Sequence, residues 1–357
     1  MNKNQLAKFI GEETLSIVDA MEKIDANTKG FLFIEDTDGA LTGCVTDGDI
    51  RRWIIRGREL RDPVSKVMNK TPKFLFREEA AKADLLMKQA EINAVPILNR
   101  DRRIKDIALA SDAFVKTDSG KKDLRGVPVV IMAGGKGTRL APYTKILPKP
   151  LIPIGETPIV ERILDLFYGY GVDKYYMTVN YKKGMIKSYF SDLQPPYEID
   201  YVEETMPLGT GGSIRLIDEK FDKPIFVSNC DSLVLTDYRD LYAYHNSSEN
   251  EITMVSALKN IVVPYGVIHS GESGVIESIE EKPKLSYFIN TGMYVINPET
   301  IDLIPENQLF HMTHLIDAVI KRGGKVGMYP VSEDSFLDMG EFGEMKRMEE
   351  KLHIVSE

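Results

Sequence analysis

VVIMAGGKGTRLAPYTKILPKPLIPIG, residues 129–155, decides how the rest of the chain is read. Val129 to Met132 is a short apolar run of the kind that forms a buried strand, and it breaks abruptly into glycine. Gly134, Gly135 and Gly137 permit backbone conformations and close approaches that a β-carbon blocks. A strand ending in such a loop holds phosphate well, because outward-pointing backbone N–H groups meet the anion and nearby cations add charge. Lys136, Arg139, Lys145 and Lys149 supply those cations. The spacing fits neither the dinucleotide pattern G-x-G-x-x-G nor the P-loop pattern G-x-x-x-x-G-K-[ST].

The remaining composition narrows the setting. With 357 residues, 43% of them hydrophobic, the chain is long enough for two or three domains with filled cores. A formal net charge of -9 argues against a general nucleic-acid binder, whose footprint is a basic face. No apolar run approaches the roughly 18 residues of a membrane span, and the polar start MNKNQLAKF lacks a signal-peptide core. The expectation is a cytoplasmic protein with no nucleic-acid and no membrane partner. Cys44 and Cys230 have neither metal-site nor disulfide-framework spacing, and both read as small buried residues.

The run G-G-K-G-T-R-L-x-P-x-T from Gly134, followed by P-K-P-L-x-P-I-G from Pro148, resembles the signature of the sugar-1-phosphate nucleotidyltransferases. The resemblance implies a nucleotide held by Ala133, Gly134, Gly135, Lys136, Gly137 and Thr138. It also implies two cations in the chemistry, with Arg139 stabilising the leaving pyrophosphate and Lys149 neutralising the α-phosphate and the sugar phosphate. Read locally, Thr157 and Pro158 cap a helix that runs to Gly171, Asp173 to Val179 is a strand, Lys183 to Phe190 a helix and Tyr197 to Glu203 a strand. Strand alternating with helix predicts an open, mostly parallel sheet with ligands at the strand C-termini, the Rossmann-like α/β fold that the resemblance also implies.

EETMPLGTGGS, residues 203–213, looks like that family's base-reading segment, with Leu208, Gly209 and Thr210 lying against the nucleobase. Glu204 stands where thymidylyl and uridylyl relatives carry glutamine. A glutamine amide donates and accepts, which suits a pyrimidine; a carboxylate only accepts, and guanine offers two adjacent donors. GTP is therefore the expected nucleotide, with a solvated charge as the alternative role for Glu204.

Asp231, which ends PIFVSNCD, and Asp338, in SFLDMGEF, match the family's metal aspartates, and Asp231 counts among its catalytic residues. Two carboxylates suit Mg²⁺, which takes one or two protein oxygens and leaves room for phosphate and water. Tyr265 and Gly266, Glu281 and Lys282, and Asn290 and Thr291 resemble the segments that hold the sugar phosphate. Residues 341–355 read as an amphipathic helix with Phe342, Met345, Met348 and Leu352 on one side.

The first third repeats itself. Glu12 to Ile54 and Glu78 to Phe114 share a layout at an offset of about 63 residues: helix, strand (GFLFI, then AVPIL), polar turn, strand and helix start. The layout resembles a tandem pair of CBS domains, an α+β arrangement over residues 1–120, with the transferase domain over residues 121–357. In that family a Thr or Ser, with Asp three residues later, contacts an adenine nucleotide. Thr46 and Asp49 match; the second copy keeps Asp112 but has Leu109 in place of the hydroxyl. A helix cap is the alternative reading of Thr46 and Asp49. KTDSGKKDLR, residues 116–125, reads as the linker.

The reaction implied is transfer of a nucleotidyl group from an NTP to a sugar 1-phosphate. The order of CBS pair then transferase resembles the glucosamine-1-phosphate guanylyltransferases of legionaminic acid biosynthesis, and a homo-oligomer is expected. Two other readings stay open: transfer of guanylyl, thymidylyl or uridylyl to mannose or another hexose 1-phosphate, and a catalytically silent nucleotide sensor.

Overall fold

The computed structural model describes residues 3–110, 124–340 and 342–352. Asp112, most of the expected linker, Glu341 and residues 353–355 of the expected C-terminal helix lie outside them. The chain divides into two compact units, Met1–Lys121 and Lys122–Glu357.

In the first unit a short helix α1 (Lys3–Ala7) and strand β1 (Ile10–Glu12) lead into helix α2 (Ile17–Asn27), strands β2 (Phe31–Glu35) and β3 (Leu41–Thr46), and helix α3 (Asp47–Ile55). Strand β4 (Leu75–Phe76), helix α4 (Ala83–Ala90) and strands β5 (Ala94–Leu98) and β6 (Ile104–Leu109) follow. Each half makes a three-stranded sheet, β1-β2-β3 and β4-β5-β6, in which a parallel edge strand joins an antiparallel hairpin. The repeat extends to the ladder. Phe31 faces Thr46 in one copy and Ala94 faces Leu109 in the other, a displacement of 63 residues, and the register slip between Ile34 and Glu35 recurs between Ile97 and Leu98. β3 alternates buried and half-buried residues, as a strand covered on one face should. Phe31, Phe33, Leu98 and Ile104 from both copies share one apolar cluster, and the Leu41 N–H donates to the Arg102 carbonyl at 2.9 Å to tie the copies together.

Strand β7 (Val129–Ala133) is an inner strand of the second unit's main sheet. Every residue in it is buried, because both faces are covered, and its alternation feeds two cores. Val129, Ile131 and Ala133 enter the larger cluster, while Val130 and Met132 enter the other. The glycine loop that follows leads to helix α5 (Tyr143–Ile146) and the two-residue strands β8 (Pro153–Ile154) and β9 (Thr157–Pro158). Thr157 is thus paired with Ile154 in a small hairpin rather than capping a helix, and Pro158 takes the N-cap position of helix α6 (Ile159–Tyr168) without a side-chain bond. α6 buries Ile159, Ile163 and Phe167 at helical spacing against the larger core, each worth about 2 kcal/mol when fully withdrawn from water.

The alternation then runs through strand β10 (Lys174–Val179), helix α7 (Lys183–Leu193) and strand β11 (Glu198–Glu203), and continues with the single-turn helix α8 (Gly209–Gly212), strands β12 (Ile225–Asn229) and β13 (Ser232–Val234), and helix α9 (Tyr238–Ser247). After α9 the pattern changes. Strand β14 (Ile252–Val262), the hairpin β15 (Val267–Ser270) and β16 (Ile276–Glu280), and strand β17 (Lys284–Ile296) follow with no crossover helix, so β17 returns antiparallel. Helix α10 (Met312–Lys321), strands β18 (Val326–Val331) and β19 (Phe336–Asp338), and helix α11 (Phe342–Lys351) complete the unit. Within α11, Met348 is buried and Met345 packs on the larger core.

The main sheet has the order β11-β10-β7-β12-β17-β14-β18. Four of its pairings are parallel and two, both made by β17, are antiparallel, so the expected mostly parallel α/β sheet is present with one reversed strand. From β7 the chain builds first toward β10 and β11, then returns to place β12 on the other side. That reversal opens a crevice at the C-terminal ends of β7 and β12.

Candidate active site

The crevice is a cleft of about 420 Å³. It is lined by Gly134 and Gly137 after β7, by Asn229 at the end of β12 and by Asp231 beyond it.

Glu204 lines this cleft. Its N–H donates to the Val179 carbonyl at 3.0 Å, which carries the β11 ladder one residue further and fixes where the side chain starts. The residue is only 6% exposed. Its Oε2 accepts from the Leu208 N–H at 3.3 Å, and Oε1 lies so near the loop that a β-carbon on Gly134 would stand 2.4 Å from it. Only glycine at 134 lets loop and carboxylate approach this way. Burial raises the Glu204 carboxyl above its ordinary value, and the Leu208 N–H opposes the shift.

The cleft is also lined by a charged cluster. Lys149 opens a single 3₁₀ turn (Lys149–Leu151) after Pro148, and its ammonium bonds the Asp231 carboxylate directly. Both side chains are largely buried. Asp338 reaches the same place from β19, which pairs with β13 so that Asp338 faces Ser232, while the Met339 N–H donates to the Asp231 carbonyl at 3.0 Å. Burial first, and the Asp231 charge second, push the Asp338 carboxyl up; Lys149 and Arg139 pull the other way. Arg139, in the turn Thr138–Leu140, also borders the cleft.

Gly135, Thr138, Gly209 and Thr210 line the cleft as the sequence led one to expect. Ala133 is the buried end of β7, the Lys136 side chain faces solvent, and Leu208 contributes its backbone N–H from a buried position. The six residues expected on the sugar side do not border this cleft. Tyr265 is 75% exposed, and Glu281 and Lys282 form the exposed turn between β16 and β17. The structure brings Gly266 and Glu281 together, since a β-carbon at 266 would lie 3.1 Å from the Glu281 Oε2. Asn290 bonds within its own strand, donating to the Tyr294 hydroxyl at 2.7 Å and accepting from the Gly292 N–H at 2.9 Å. Thr291 is buried and donates its hydroxyl to the Val255 carbonyl at 2.9 Å.

In the first unit Thr46 and Asp49 form a reciprocal capping box at the start of α3. The Thr46 Oγ1 accepts from the Asp49 N–H at 3.3 Å, and the Asp49 carboxylate accepts from the Thr46 N–H at 3.0 Å and from its hydroxyl at 2.7 Å. Burial pushes the Cys44 thiol up to about 11 and the Cys230 thiol up to about 12, and both cysteines are free.

Thr178, Leu309 and His311 also line the cleft and carry no motif. The one sequence signal for the last two is the glycine density of residues 209–212. Those glycines press on residues 308–312, and a β-carbon at Gly209 would lie 2.7 Å from the Phe310 carbonyl oxygen. Among the described residues no group of three or more His, Cys, Asp or Glu forms a metal cage, and no helix is long and apolar enough to cross a membrane.

A mannose-1-phosphate guanyltransferase from Yarrowia lipolytica is 34% identical over 183 residues, covering 49% of this chain and 50% of that protein. A UTP--glucose-1-phosphate uridylyltransferase from Synechocystis sp. is 33% identical over 202 residues, covering 51% and 52%. The chain thus spans about half the length of the curated relatives it matches. A crystallised Bacillus anthracis protein described as a glucose-1-phosphate thymidylyltransferase shares the fold, with a TM-score of 0.52, 20% identity, and coverage of 65% of this chain and 97% of that one. The family model described as Nucleotidyl transferase matches residues 128–353, more than half of the sequence, and the chain belongs to that family.

Proposed function

We propose that this chain transfers a guanylyl group from GTP to a sugar 1-phosphate, giving a GDP-sugar and pyrophosphate. One observation carries the reading: a single cleft is lined both by a buried acceptor-only carboxylate, Glu204, and by a cluster of Lys149, Asp231 and Arg139 whose charges reach Asp338. The first suits a base that offers two adjacent donors, the second a triphosphate. The guanyltransferase and uridylyltransferase relatives support a sugar 1-phosphate as acceptor. Glucosamine 1-phosphate is the acceptor we favour, on the resemblance in domain order.

The acceptor's phosphate oxygen is already ionised at neutral pH, so no protein base is needed and catalysis is positioning plus charge neutralisation. Lys149 bears on the phosphate that is attacked, and Arg139 on the pyrophosphate that leaves. Asp231 and Asp338 fit Mg²⁺: the charge of one raises the pKa of the other, and a cation, the Lys149 ammonium, already sits on Asp231. When bound, Mg²⁺ would draw negative charge off the α-phosphate and the incoming sugar phosphate. Glu281 and Lys282, on the exposed turn beside Gly266, are the side chains we assign to the sugar phosphate. The first unit is assigned as a tandem CBS pair that takes an adenine nucleotide at Thr46 and Asp49, in a cytoplasmic homo-oligomer.

Pyrophosphate release measured over a panel of NTPs and sugar 1-phosphates tests the reading. GTP with glucosamine 1-phosphate is expected to turn over fastest, and Lys149→Ala or Asp231→Ala to lower the rate by about two to three decades. Near-full turnover in either variant would show that the cluster does not perform the reaction.

A further inference from the structure

We infer that His311 is a second base-contact residue, whose Nε2–H donates to the O6/N7 edge of the guanine while Glu204 accepts from the opposite edge. The inference rests on the guanylyl reading above and adds a residue to it. His311 borders the cleft beside Gly209 and Thr210. The Thr210 N–H donates to its Nδ1 at 3.3 Å, so Nδ1 carries the lone pair and the proton of the neutral ring sits on Nε2. The Thr210 hydroxyl, which accepts from the Met312 N–H at 3.2 Å, lies 3.5 Å from the same Nδ1. Among the described residues Nε2 has no protein partner.

The backbone holds this ring in place firmly. The Phe310 carbonyl accepts from the Gly211 and Gly212 N–H groups at 2.9 Å each, and the Phe310 N–H donates to the Leu208 carbonyl at 2.9 Å. A β-carbon at Gly209 would stand 2.9 Å from Nδ1, so glycine is what permits the approach. The cleft is therefore lined by one buried acceptor, Glu204, and by a histidine, His311, whose ring offers a donor. Guanine alone among the common bases carries two adjacent donors on one edge and two acceptors, O6 and N7, on another; pyrimidines have no N7, and adenine has a donor where guanine has O6.

The test is steady-state kinetics of the full chain with GTP, ITP and 7-deaza-GTP. ITP lacks the 2-amino donor that faces Glu204, and 7-deaza-GTP lacks the N7 acceptor assigned to His311. With the unaltered chain both analogues should lose about tenfold in kcat/KM. In His311→Ala the KM for GTP should rise about tenfold with kcat little changed, and the gap between GTP and 7-deaza-GTP should close while the ITP gap stays. His311→Gln, whose amide nitrogen reaches toward the Nε2 position, should recover part of the loss. His311→Asn, whose amide reaches only the Nδ1 position, should not. Equal use of GTP and 7-deaza-GTP by the unaltered chain overturns the inference even if His311→Ala fails to fold, and so does a His311→Ala enzyme that keeps the gap. Turnover with UTP but not GTP overturns both this inference and the guanylyl reading, whereas GTP turnover without a 7-deaza gap overturns this one alone.

Discussion

Glu204 shows how one side chain can carry two kinds of information. Its carboxylate only accepts, and its burial makes ionisation harder than in water, so its acceptor character depends on pH. The raised Glu204 carboxyl takes up its proton at a higher pH than the ordinary 4.5 and then stops being acceptor-only. The kcat/KM for GTP should therefore decline on acidification from above that value. Glu204→Gln should flatten that limb, lower kcat/KM for GTP by about ten- to a hundredfold, and raise it for UTP, because an amide leaves one guanine donor unmet but suits a pyrimidine. Rates with both nucleotides across pH check this; an unchanged preference in the variant would place the carboxylate away from the base. The place of Glu204 in the cleft was legible because it lies within a contiguous segment whose spacing to Gly209 can be counted. His311 was not, since its partner Thr210 is 101 residues away and only folding joins them.

Among the elements, α9, β14 and β17 are joined by a buried polar chain. The Asn250 amide donates to the Thr253 hydroxyl at 3.0 Å, that hydroxyl lies 2.8 Å from the His245 Nδ1, and Nε2 lies 2.9 Å from the Asn297 Oδ1. With Nε2–H donating to Asn297 and Nδ1 accepting from Thr253, every member is satisfied by a neutral ring. Burial lowers the His245 pKa from its ordinary 6.5, against the pull of Asn297. The unfolded chain thus takes up the proton first as pH falls. Stability contributed by the neutral ring is whole above 6.5 and declines on acidification below it. Urea unfolding between pH 8 and pH 5 should show this slope, and His245→Gln should be less stable at pH 8 but show a shallower slope. A slope as steep in the variant would remove His245 from the account. The alternating strands and helices from β7 to β10 could be read from the hydrophobic pattern, because β7, α6 and β10 bury apolar residues in succession along the sequence. The reversed strand β17 could not, since the hairpin β15 and β16 that sends it back has exposed residues throughout β16 and offers no core pattern to read.

At the scale of the whole molecule, the two compact units make separate demands on the sequence. The glycine loop announces the second unit almost unaided, whereas the first is visible only through its internal repeat. Its proposed ligand gives a thermodynamic expectation. An adenine nucleotide that binds the folded first unit at a hundred times its Kd should stabilise that unit by about 2.7 kcal/mol. Calorimetry of the full chain with AMP, ATP and GTP should then show an unfolding transition that moves upward with nucleotide, and Thr46→Val should abolish the movement while costing about 1 kcal/mol through the lost cap. A movement retained in the variant would leave Thr46 as a cap and nothing more. The recurring register slip has a further consequence. Because the slip between Ile34 and Glu35 is repeated between Ile97 and Leu98, both copies share one backbone plan, and what differs between them is a divergence in side chains. Thr46 facing Phe31, against Leu109 facing Ala94, is such a divergence at matched positions. On the proposal above, an occupant recognised through that hydroxyl would meet it in the first copy and not in the second.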